Sequence, residues 1–305
     1  MGNRPLILGT RGSQLALRQA QIVQTALEAC ASGRPIVVTT IQAQADHHPD
    51  VPLVALSGEG IFVKELEAAL QERRIDIAVH SLKDLPLAIP DGLRIAAVLK
   101  RDEPRDALVS RTGAVFDQLP ANSRIGTSSA RRRSQLLRAR RDLRVDEIRG
   151  NVDTRLRKLD QGDYDAVVVA ACGLMRLGLG ARITEVLDLS RMLPEPGQGA
   201  LAIETRADDQ ETLAWVSCLD HAATRACVEA ERAFLQALGG GCRVPIAAYA
   251  SCEVGALALE GAVIAVDGSR QLRAHRHGAV TQSIAVGQAL AEELITQGAL
   301  ELLRD

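Results

Sequence analysis

The sequence predicts an α/β protein with three domains, two similar doubly wound lobes followed by a small α+β C-terminal domain. A chain of 305 residues has room for two or three domains with cores of their own. Strand and helix patterns alternate through the first two-thirds, which is typical of a mainly parallel sheet covered by helices on both faces. Near Thr224 this alternation gives way to a helix, a glycine loop and several short strands.

The first lobe is predicted to span residues 1–99 and to be completed by residues 200–217. Ser13 is a plausible N-cap for its first helix, and a strand at Ala200–Glu204 would return the chain to the first sheet. The other predicted elements are the strands Pro5–Thr10, Pro35–Ile41, Asp76–His80 and Leu93–Leu99, and the helices Ser13–Ala29 and Phe62–Arg73. This lobe is therefore predicted to be discontinuous in sequence.

The second lobe is predicted to span residues 105–193. The polar run Lys100–Asp106 before it has the composition of a hinge or linker, and Pro194–Gly199 is a second break. The predicted strands lie near Arg124–Ile125, at Leu143–Ile148 and at Ala166–Ala171, and the predicted helices are Ser129–Arg140, Val152–Gln161 and Gly173–Leu177. The alternation again favours a parallel sheet between helices.

The C-terminal domain is predicted to span residues 222–305. It opens with a helix at Ala226–Leu238 and closes with a helix at Thr281–Gln297. Three short strands lie between them, at Ile246–Ser251, Ala256–Val266 and Gln271–His277. Strands that follow one another without helices between them indicate an α+β arrangement.

Composition excludes several classes of protein. The net charge of −2 argues against a general nucleic-acid or membrane-surface protein, and six aromatic residues offer little material for base stacking. The six cysteines form no CxxC pair and no zinc spacing, so we interpret them as reduced thiols and predict no metal site. No stretch is long enough to cross a membrane and no signal-peptide core is present, so a cytoplasmic location is expected.

Cys242 has an unusual setting. It follows the three glycines 239–241 and precedes Arg243 and Pro245. Glycines remove every Cβ from the approach to the sulfur, and an adjacent arginine favours the nucleophilic thiolate. The alternative is a C-cap glycine followed by a buried structural cysteine. The pattern of helix, bare loop and cysteine makes Cys242 a candidate functional residue.

Positive charge is concentrated between Arg124 and Lys158. This segment contains twelve Arg and Lys residues and four acidic residues, so it carries a net charge of +8 in a chain whose net charge is negative. Six of them are expected on a solvated helix face, namely Arg138, Arg140, Arg141, Arg144, Arg157 and Lys158. Arg131 and Arg132 instead fall in the first turn of a helix, where the dipole disfavours cations, so a bound anion would explain their position.

Several polar residues follow predicted strands, at the edge where ligands bind in open α/β sheets. The run Gly126–Ser129 joins a strand to a helix and offers backbone N–H groups and hydroxyls to an anion. The strand-end candidates are Arg11, Ser13, Thr127, Ser128, Ser129, Arg149, Gly150, Asn151, Arg155 and Arg176. Arginine suits a polycarboxylate or a phosphate through forked pairing, and the absence of GxxxxGK[ST] disfavours a nucleotide P-loop.

Lys83 and Asp84 also follow a predicted strand, in the run His80–Pro86. An ordinary turn with a local Lys–Asp pair is the alternative. Among cationic anion-binding groups, however, a carboxylate suits an acid/base role or the stabilisation of a positive intermediate.

These segments together resemble the porphobilinogen deaminase family. The resemblance runs over nearly the whole chain, in ordered blocks whose number makes it more specific than any single motif. The blocks are Thr10–Leu17, Phe62–Glu67, His80–Pro86, Gly126–Arg132, Arg149–Leu156, Pro196–Ala200, Glu231–Leu235 and Gly240–Ile246.

The resemblance implies a fold and an activity. The first two domains would look like the two lobes of a type II periplasmic binding protein. Cys242 would carry a covalent dipyrromethane cofactor, made from two substrate units. Four porphobilinogens would be added head to tail with loss of ammonia, and the linear hydroxymethylbilane would be released by hydrolysis. The expected protein is a monomer with porphobilinogen as its partner, without nucleic acid or membrane, and its product would pass to the next enzyme.

The resemblance also implies residue roles. Asp84 would stabilise the electron-deficient azafulvenium formed on deamination and handle protons. The cofactor's carboxylates would be held by Lys83, Thr127, Ser128, Ser129, Arg131, Arg132, Arg149, Gly150 and Asn151. The incoming substrate would meet Arg11, Ser13, Phe62, Arg149, Arg155 and Arg176. Phe62 could equally be a core residue of its helix.

One loop departs from the family pattern. Ala55 and Glu59 stand in a stretch where family members often carry lysines, and Ala43–Asp46 replaces a Thr-x-Gly-Asp pattern. Because a glutamate facing a polycarboxylate is repulsive, we expect Glu59 to point to solvent. No binding role is assigned to Ala55 or Glu59.

The residues also suggest two alternative functions. A non-enzymatic protein that binds polyanions on the same two-lobed scaffold would account for the arginines but not for Cys242 or Asp84. An RNA-binding protein that uses the basic helix would need the aromatic residues and net positive charge that this chain lacks.

Overall fold

A computed structural model describes residues 4–31, 33–42, 63–240, 244–253 and 255–303. The chain forms two compact units, the first made of residues 1–101 and 200–225 and the second of residues 102–199 and 226–305. The first unit contains one α/β lobe. The second contains the other α/β lobe and the C-terminal sheet.

The first unit is built on a five-stranded sheet with the order β2-β1-β3-β10-β4. Strands β1, β2 and β3 are parallel, and β10 runs antiparallel to both β3 and β4. The strands are β1 (Leu6–Thr10), β2 (Ile36–Thr40), β3 (Ile77–Ser81), β4 (Leu93–Val98) and β10 (Leu201–Arg206). The helices are α1 (Gln14–Cys30), α2 (Lys64–Gln71) and α6 (Gln210–Val216). The predicted return of the chain at Ala200–Glu204 is thus present as β10.

Both faces of this sheet are covered by helices. Ala20, Val23 and Leu27 of α1 pack with Leu8 and Ile77 on one face. On the other face α2 packs against Ile75 and Ala78 through the residues Leu66, Ala69 and Leu70. Ile77 and Ala78, which are consecutive in β3, thus belong to the cores on opposite faces of the sheet, and the lobe is doubly wound.

The lobe of the second unit repeats this plan. Its sheet has the order β7-β6-β8-β5-β9, in which β6, β7 and β8 are parallel while β5 runs antiparallel to β8 and β9. The strands are β5 (Asp106–Ser110), β6 (Arg124–Gly126), β7 (Arg144–Asp146), β8 (Ala166–Ala170) and β9 (Glu185–Val186). The helices are α3 (Ala130–Ala139), α4 (Val152–Asp160) and α5 (Ala171–Arg176).

Position by position, the two five-stranded sheets share one pattern of strand directions. In each, three parallel strands are followed by an antiparallel strand and then by a strand antiparallel to that one. Two similar doubly wound lobes are therefore present, as predicted.

The C-terminal part of the second unit is an antiparallel sheet, β11-β12-β13, packed against helices. Its strands are β11 (Ile246–Glu253), β12 (Ala256–Ile264) and β13 (Gln271–Ala279). Its helices are α7 (Ala222–Ala237), α8 (Ser283–Thr296) and α9 (Ala299–Leu302). Glu231, which is fully buried, accepts hydrogen bonds from the backbone N–H groups of Gly197 and Ala250, both at 2.7 Å. The predicted α+β character is confirmed.

Two features of the fold differ from the sequence-based expectation. Asp106, which the polar composition placed in a linker, is the first residue of β5 and is fully buried. Strand β7 is shorter than the predicted Leu143–Ile148 and covers only Arg144–Asp146. In both places the ladder partners and the burial, rather than local composition, set the bounds of the strand.

The interpretation of all six cysteines as reduced thiols is wrong for two of them. Cys30 and Cys218 form a disulfide within the first unit, although they are 188 positions apart in sequence. Spacing rules did not indicate the pair because the fold, not the local sequence, brings the end of α1 beside the segment after α6.

Candidate active site

In the first unit, polar residues lie at the carboxyl ends of two adjacent parallel strands. Arg11 follows β1, and Ser13 caps α1 by accepting a hydrogen bond from the Ala16 N–H at 3.2 Å. Lys83 and Asp84 follow β3 in the short 3₁₀ helix Leu82–Asp84. Because β1 and β3 are neighbours, these residues share one edge of the sheet, as predicted. The Asp84 side chain lies at an exposed position.

In the second unit, the turn from β6 into α3 is built by hydroxyl side chains. Ser129 is the N-cap of α3 and accepts from the Arg132 N–H, while Thr127 Oγ1 accepts from the Ser129 N–H at 3.2 Å. Ser128 donates its hydroxyl to the Ile148 carbonyl. Thr127 is buried. These contacts fix the start of a helix whose positive dipole end can meet an anion.

Asp106 is the internal counter-ion of Arg131 and Arg132. Its Oδ2 accepts from Arg131 Nη1 at 2.7 Å, and its Oδ1 accepts from Arg132 Nε at 2.9 Å and from Gln198 Nε2 at 2.9 Å. Burial of Asp106 opposes ionisation, but Arg131 and Arg132 outweigh that effect and hold the pKa of the carboxyl well below its usual range. A protein carboxylate thus compensates, at least in part, the two cations that begin α3.

The contacts show that Asp106 does not satisfy every buried donor of Arg131. Arg131 is 2% exposed, and among the described residues its Nε and Nη2 atoms have no hydrogen-bond partner. Buried donors without partners cost free energy, so they favour an acceptor that the protein itself does not supply.

A second indication of excess positive charge comes from Arg155 and its neighbours Arg132 and Arg149. Burial, together with the charges of Arg132 and Arg149, lowers the pKa of Arg155 to about 10. An anion bound near Arg155 would offset this unfavourable combination of burial and neighbouring positive charge. Arg149 also contacts Glu147, at 2.6 Å between Nη2 and Oε1.

The turn between β7 and α4 positions two of these arginines. Asn151 caps α4 by accepting from the Thr154 N–H at 2.9 Å, and Arg155 Nε donates to the Gly150 carbonyl at 2.9 Å. Gly150 has φ of +105°, in the left-handed region that favours glycine. The backbone turn therefore sets the direction of Arg149 and Arg155 together.

Arg176 lies at the end of α5, after β8. It is 8% exposed, its Nε donates to Asp102 at 2.9 Å, and its Nη2 donates to the Gly199 carbonyl at 2.6 Å. Since β7, β6 and β8 are adjacent parallel strands, the groups after all three lie at one sheet edge. Of the six residues predicted on a solvated helix face, Arg138, Arg141, Arg144 and Arg157 are exposed. The prediction is wrong for Arg140 and Lys158, which are partly buried because their side chains donate to backbone carbonyls.

Some predicted site residues lie outside the described part of the chain. These are Cys242, Phe62, Ala55 and Glu59. The expectations for them rest on the sequence.

Sequence reasoning missed two groups of buried polar residues. Asp106 and Gln198 support the arginines of the second unit, although Gln198 stands in a recognised sequence block. In the first unit, His80 Nε2 lies 3.0 Å from Glu204 Oε2 in a fully buried pair. Burial and the nearby Glu204 raise the pKa of Glu67, against the effects of His80 and Lys64. A carboxylate in a strand with apolar neighbours, as in Ala202–Glu204, was the available signal.

The residues present fit a ligand that carries several carboxylates. One sheet edge of the second unit carries forked guanidinium donors, hydroxyl groups and the start of a helix. In the first unit, Asp84 lies at the edge of that unit's own sheet. This arrangement, on two similar α/β lobes, is suited to binding a polyanion. Among the described residues no cluster of three or more metal-ligating side chains is present.

Two family models cover most of the chain. The model described as porphobilinogen deaminase, dipyromethane cofactor binding domain, matches residues 6–214. The model of the porphobilinogen deaminase C-terminal domain matches residues 225–296. The chain belongs to the porphobilinogen deaminase family.

Full-length relatives agree with this assignment. Porphobilinogen deaminase of Acidithiobacillus ferrooxidans is 49% identical over 300 residues, which cover 98% of this chain and 97% of the relative. Porphobilinogen deaminase of Syntrophobacter fumaroxidans is 44% identical over 305 residues, covering 100% and 99%. An ancestral arginine-binding protein bound to arginine aligns with 72% of this chain and 92% of its own at a TM-score of 0.39 and 14% identity. That likeness is too distant to bear on the site.

Family membership settles the activity. The protein is a transferase that deaminates porphobilinogen and joins four molecules head to tail into linear hydroxymethylbilane, on a dipyrromethane cofactor and with release of ammonia. It serves porphyrin and haem biosynthesis. The non-enzymatic polyanion-binding alternative is thereby set aside. Within the described ranges, no helix has the length and apolar character needed to span a bilayer.

Proposed function

We propose that Asp84 is the catalytic group of this deaminase, that Cys242 carries the dipyrromethane, and that the arginines of the second lobe hold its carboxylates. The observation that carries this proposal is the setting of Arg155, whose pKa is lowered to about 10 by burial and by the nearby charges of Arg132 and Arg149. Such a group of cations is costly without an anion and becomes favourable with one.

The cationic group works through forked hydrogen bonds. Each pyrrole ring of the substrate bears an acetate and a propionate, so a growing chain adds two carboxylates per ring. Arg131 has buried donors left over after Asp106 is bound, and the turn residues Thr127, Ser128, Ser129, Gly150 and Asn151 supply N–H and hydroxyl groups. Lys83 adds a point charge in the first lobe. These groups bind and orient carboxylates without any phosphate chemistry.

Asp84 acts on the developing positive charge. It lies at an exposed position on a 3₁₀ turn directly after a buried strand, so its carboxylate is held by the sheet and reaches solvent. Loss of ammonia leaves the substrate carbon electron-deficient, and a fixed carboxylate stabilises that charge. The same group can accept and return a proton at the pyrrole nitrogen or the leaving amine.

When bound, the dipyrromethane supplies the nucleophilic pyrrole from which the chain grows. Cys242 is proposed as its point of attachment because glycines precede it and the family block Gly240–Ile246 contains it. Arg11, Ser13, Phe62, Arg149, Arg155 and Arg176 are proposed to meet the incoming substrate.

Three broader features are also proposed. The chain is proposed to act as a cytoplasmic monomer and to pass its product to the next enzyme of the pathway. The three-domain division, 1–99 with 200–217, 105–193 and 222–305, is retained as a proposal beside the two compact units.

Asp84→Asn tests the catalytic role. The substitution keeps the size of the side chain and removes its charge, so kcat should fall by about 10²–10⁴-fold while the KM for porphobilinogen changes little. Asp91→Asn is the matched control, because Asp91 is an exposed aspartate of the same lobe. Steady-state kinetics of both variants measure the effect. A near-normal kcat for Asp84→Asn removes Asp84 from the catalytic role.

The intact mass of the isolated protein tests the attachment site. Protein made where porphobilinogen is available should carry an adduct of two pyrrole units, and Cys242→Ser should lack it. Cys172→Ser should retain it, since Cys172 is buried in the second unit. An unmodified wild-type mass, or an adduct that survives Cys242→Ser, contradicts the assignment.

A further inference from the structure

Two cysteines of the C-terminal sheet and its helix lie in contact. Cys227 belongs to α7 and Cys252 to β11, and their Sγ atoms are 3.1 Å apart. A disulfide bond is about 2.05 Å long, so the sulfurs need to approach by only about 1 Å.

The two sulfurs differ in accessibility. Cys227 is 5% exposed and belongs to the hydrophobic cluster that includes Phe234, Leu238 and Ile246. Cys252 packs against the same cluster but is partly exposed. A small reagent therefore reaches Cys252 first and Cys227 only through it.

We propose that Cys227 and Cys252 form a reversible disulfide, a thiol-modification site separate from the cofactor cysteine. The oxidant is a small-molecule disulfide of the glutathione class. The Cys252 thiolate attacks that disulfide, which forms a mixed disulfide and releases one small thiol. The Cys227 thiolate then attacks Cys252 Sγ and releases the second small thiol. Two protein thiols are oxidised and one small disulfide is reduced, so atoms and electrons balance.

The bond would close a ring around the segment that contains Cys242. Cys227 lies near the start of α7 and Cys252 near the end of β11, and Cys242 stands between them in sequence. A covalent link between α7 and β11 limits how far these elements can separate. This inference does not depend on the role proposed for Cys242.

Peptide mapping after oxidation tests the site directly. The six cysteines fall on six different tryptic peptides, with Cys227 on Ala226–Arg232 and Cys252 on Val244–Arg270. The holoprotein is equilibrated in glutathione buffers of increasing oxidised fraction, alkylated, digested and measured by mass spectrometry. We expect the two peptides to appear linked, lighter by two hydrogen atoms than their sum, and to separate again in reducing buffer.

Two variants resolve the order of the steps. Cys227→Ser should stop the reaction halfway and accumulate a glutathione adduct on Cys252, because the resolving thiol is absent. Cys252→Ser should leave Cys227 unmodified and open to alkylation only after denaturation. Cys172, which is buried, serves as the internal control for a cysteine that does not react in the native protein.

The Cys30–Cys218 disulfide is an internal positive control in the same digest. Recovery of Cys227 and Cys252 as alkylated thiols in the most oxidising buffer overturns the proposal. A link from Cys252 to the peptide that contains Cys242 overturns it as well.

Discussion

At the scale of single residues, the two arginines that begin α3 show how one internal carboxylate can support a binding site. Asp106 is fully buried and binds both Arg131 and Arg132. Their cationic heads would otherwise be disfavoured beside the helix N-terminus. The sequence predicted that a bound anion would offset these two charges. The structure shows that Asp106 does so in part, and that among the described residues Nε and Nη2 of Arg131 have no acceptor.

Asp106→Asn should destabilise the second unit strongly. Removing one partner of a buried ion pair leaves uncompensated charge, and the expected loss is about 3–5 kcal/mol in the free energy of unfolding. Folding lowers the pKa of Asp106, so its contribution is fully present above the unfolded pKa of about 3.9 and is lost as pH falls below it. The difference between wild type and Asp106→Asn should therefore shrink between about pH 5 and pH 2. Denaturant unfolding at several pH values measures it.

Asp142→Asn is the control for this pH dependence. Asp142 pairs with Arg140 at the surface, where its side chain is 44% exposed. Exposed pairs contribute little because water screens them, so this variant should unfold nearly as wild type does. An Asp106→Asn protein as stable as Asp142→Asn would contradict the counter-ion role.

At the scale of elements, the turn from β7 into α4 ties backbone conformation to ligand binding. Gly150 has φ of +105°, and a Cβ there would lie 2.5 Å from Thr154 Cγ2. Thr154 donates its N–H to the capping Asn151. A side chain at position 150 would therefore disturb the cap and with it the directions of Arg149 and Arg155.

Gly150→Ala should reduce both stability and cofactor loading. Gly162→Ala is the matched control, because Gly162 also has a positive φ, +85°, but open space around its Cβ position. Both variants share a backbone strain of about 1–2 kcal/mol, so the difference between them reports the contact with Thr154. We expect a lower melting temperature and a smaller fraction with the cofactor adduct for Gly150→Ala. Equal adduct fractions in the two variants would separate this turn from cofactor binding.

At the scale of the whole molecule, the first unit is assembled from distant parts of the chain. Strand β10 enters the sheet between β3 and β4, and the Cys30–Cys218 disulfide joins segments 188 residues apart. A cross-link over so long a loop restricts the unfolded chain much more than the folded one. In the chain-entropy treatment the stabilisation reaches about 5 kcal/mol.

Cys218→Ser should therefore lower the stability of the first unit, as should reduction of the wild type. The single tryptophan, Trp215, lies in α6 next to the disulfide segment, so its fluorescence reports unfolding of this unit. The unfolding midpoint of wild type should fall on addition of reductant, while that of Cys218→Ser should not move. If reductant shifts both proteins equally, the effect arises elsewhere.

The sequence by itself determined the family, the alternation that forms both lobes and the location of the strand-end residues. The positions of Asp84 and of the second-lobe arginines at strand ends could be predicted from the sequence. Helix caps, strand ends and family blocks are local patterns, so short segments encode them. Only the tertiary structure decided that Asp106 is a buried counter-ion, that His80 meets Glu204, that Cys30 is bonded to Cys218 and that Cys227 faces Cys252. Each of these joins residues that are distant along the chain, so composition and periodicity cannot indicate them. Burial and strand order bring such groups together, and desolvation then sets how strongly they interact.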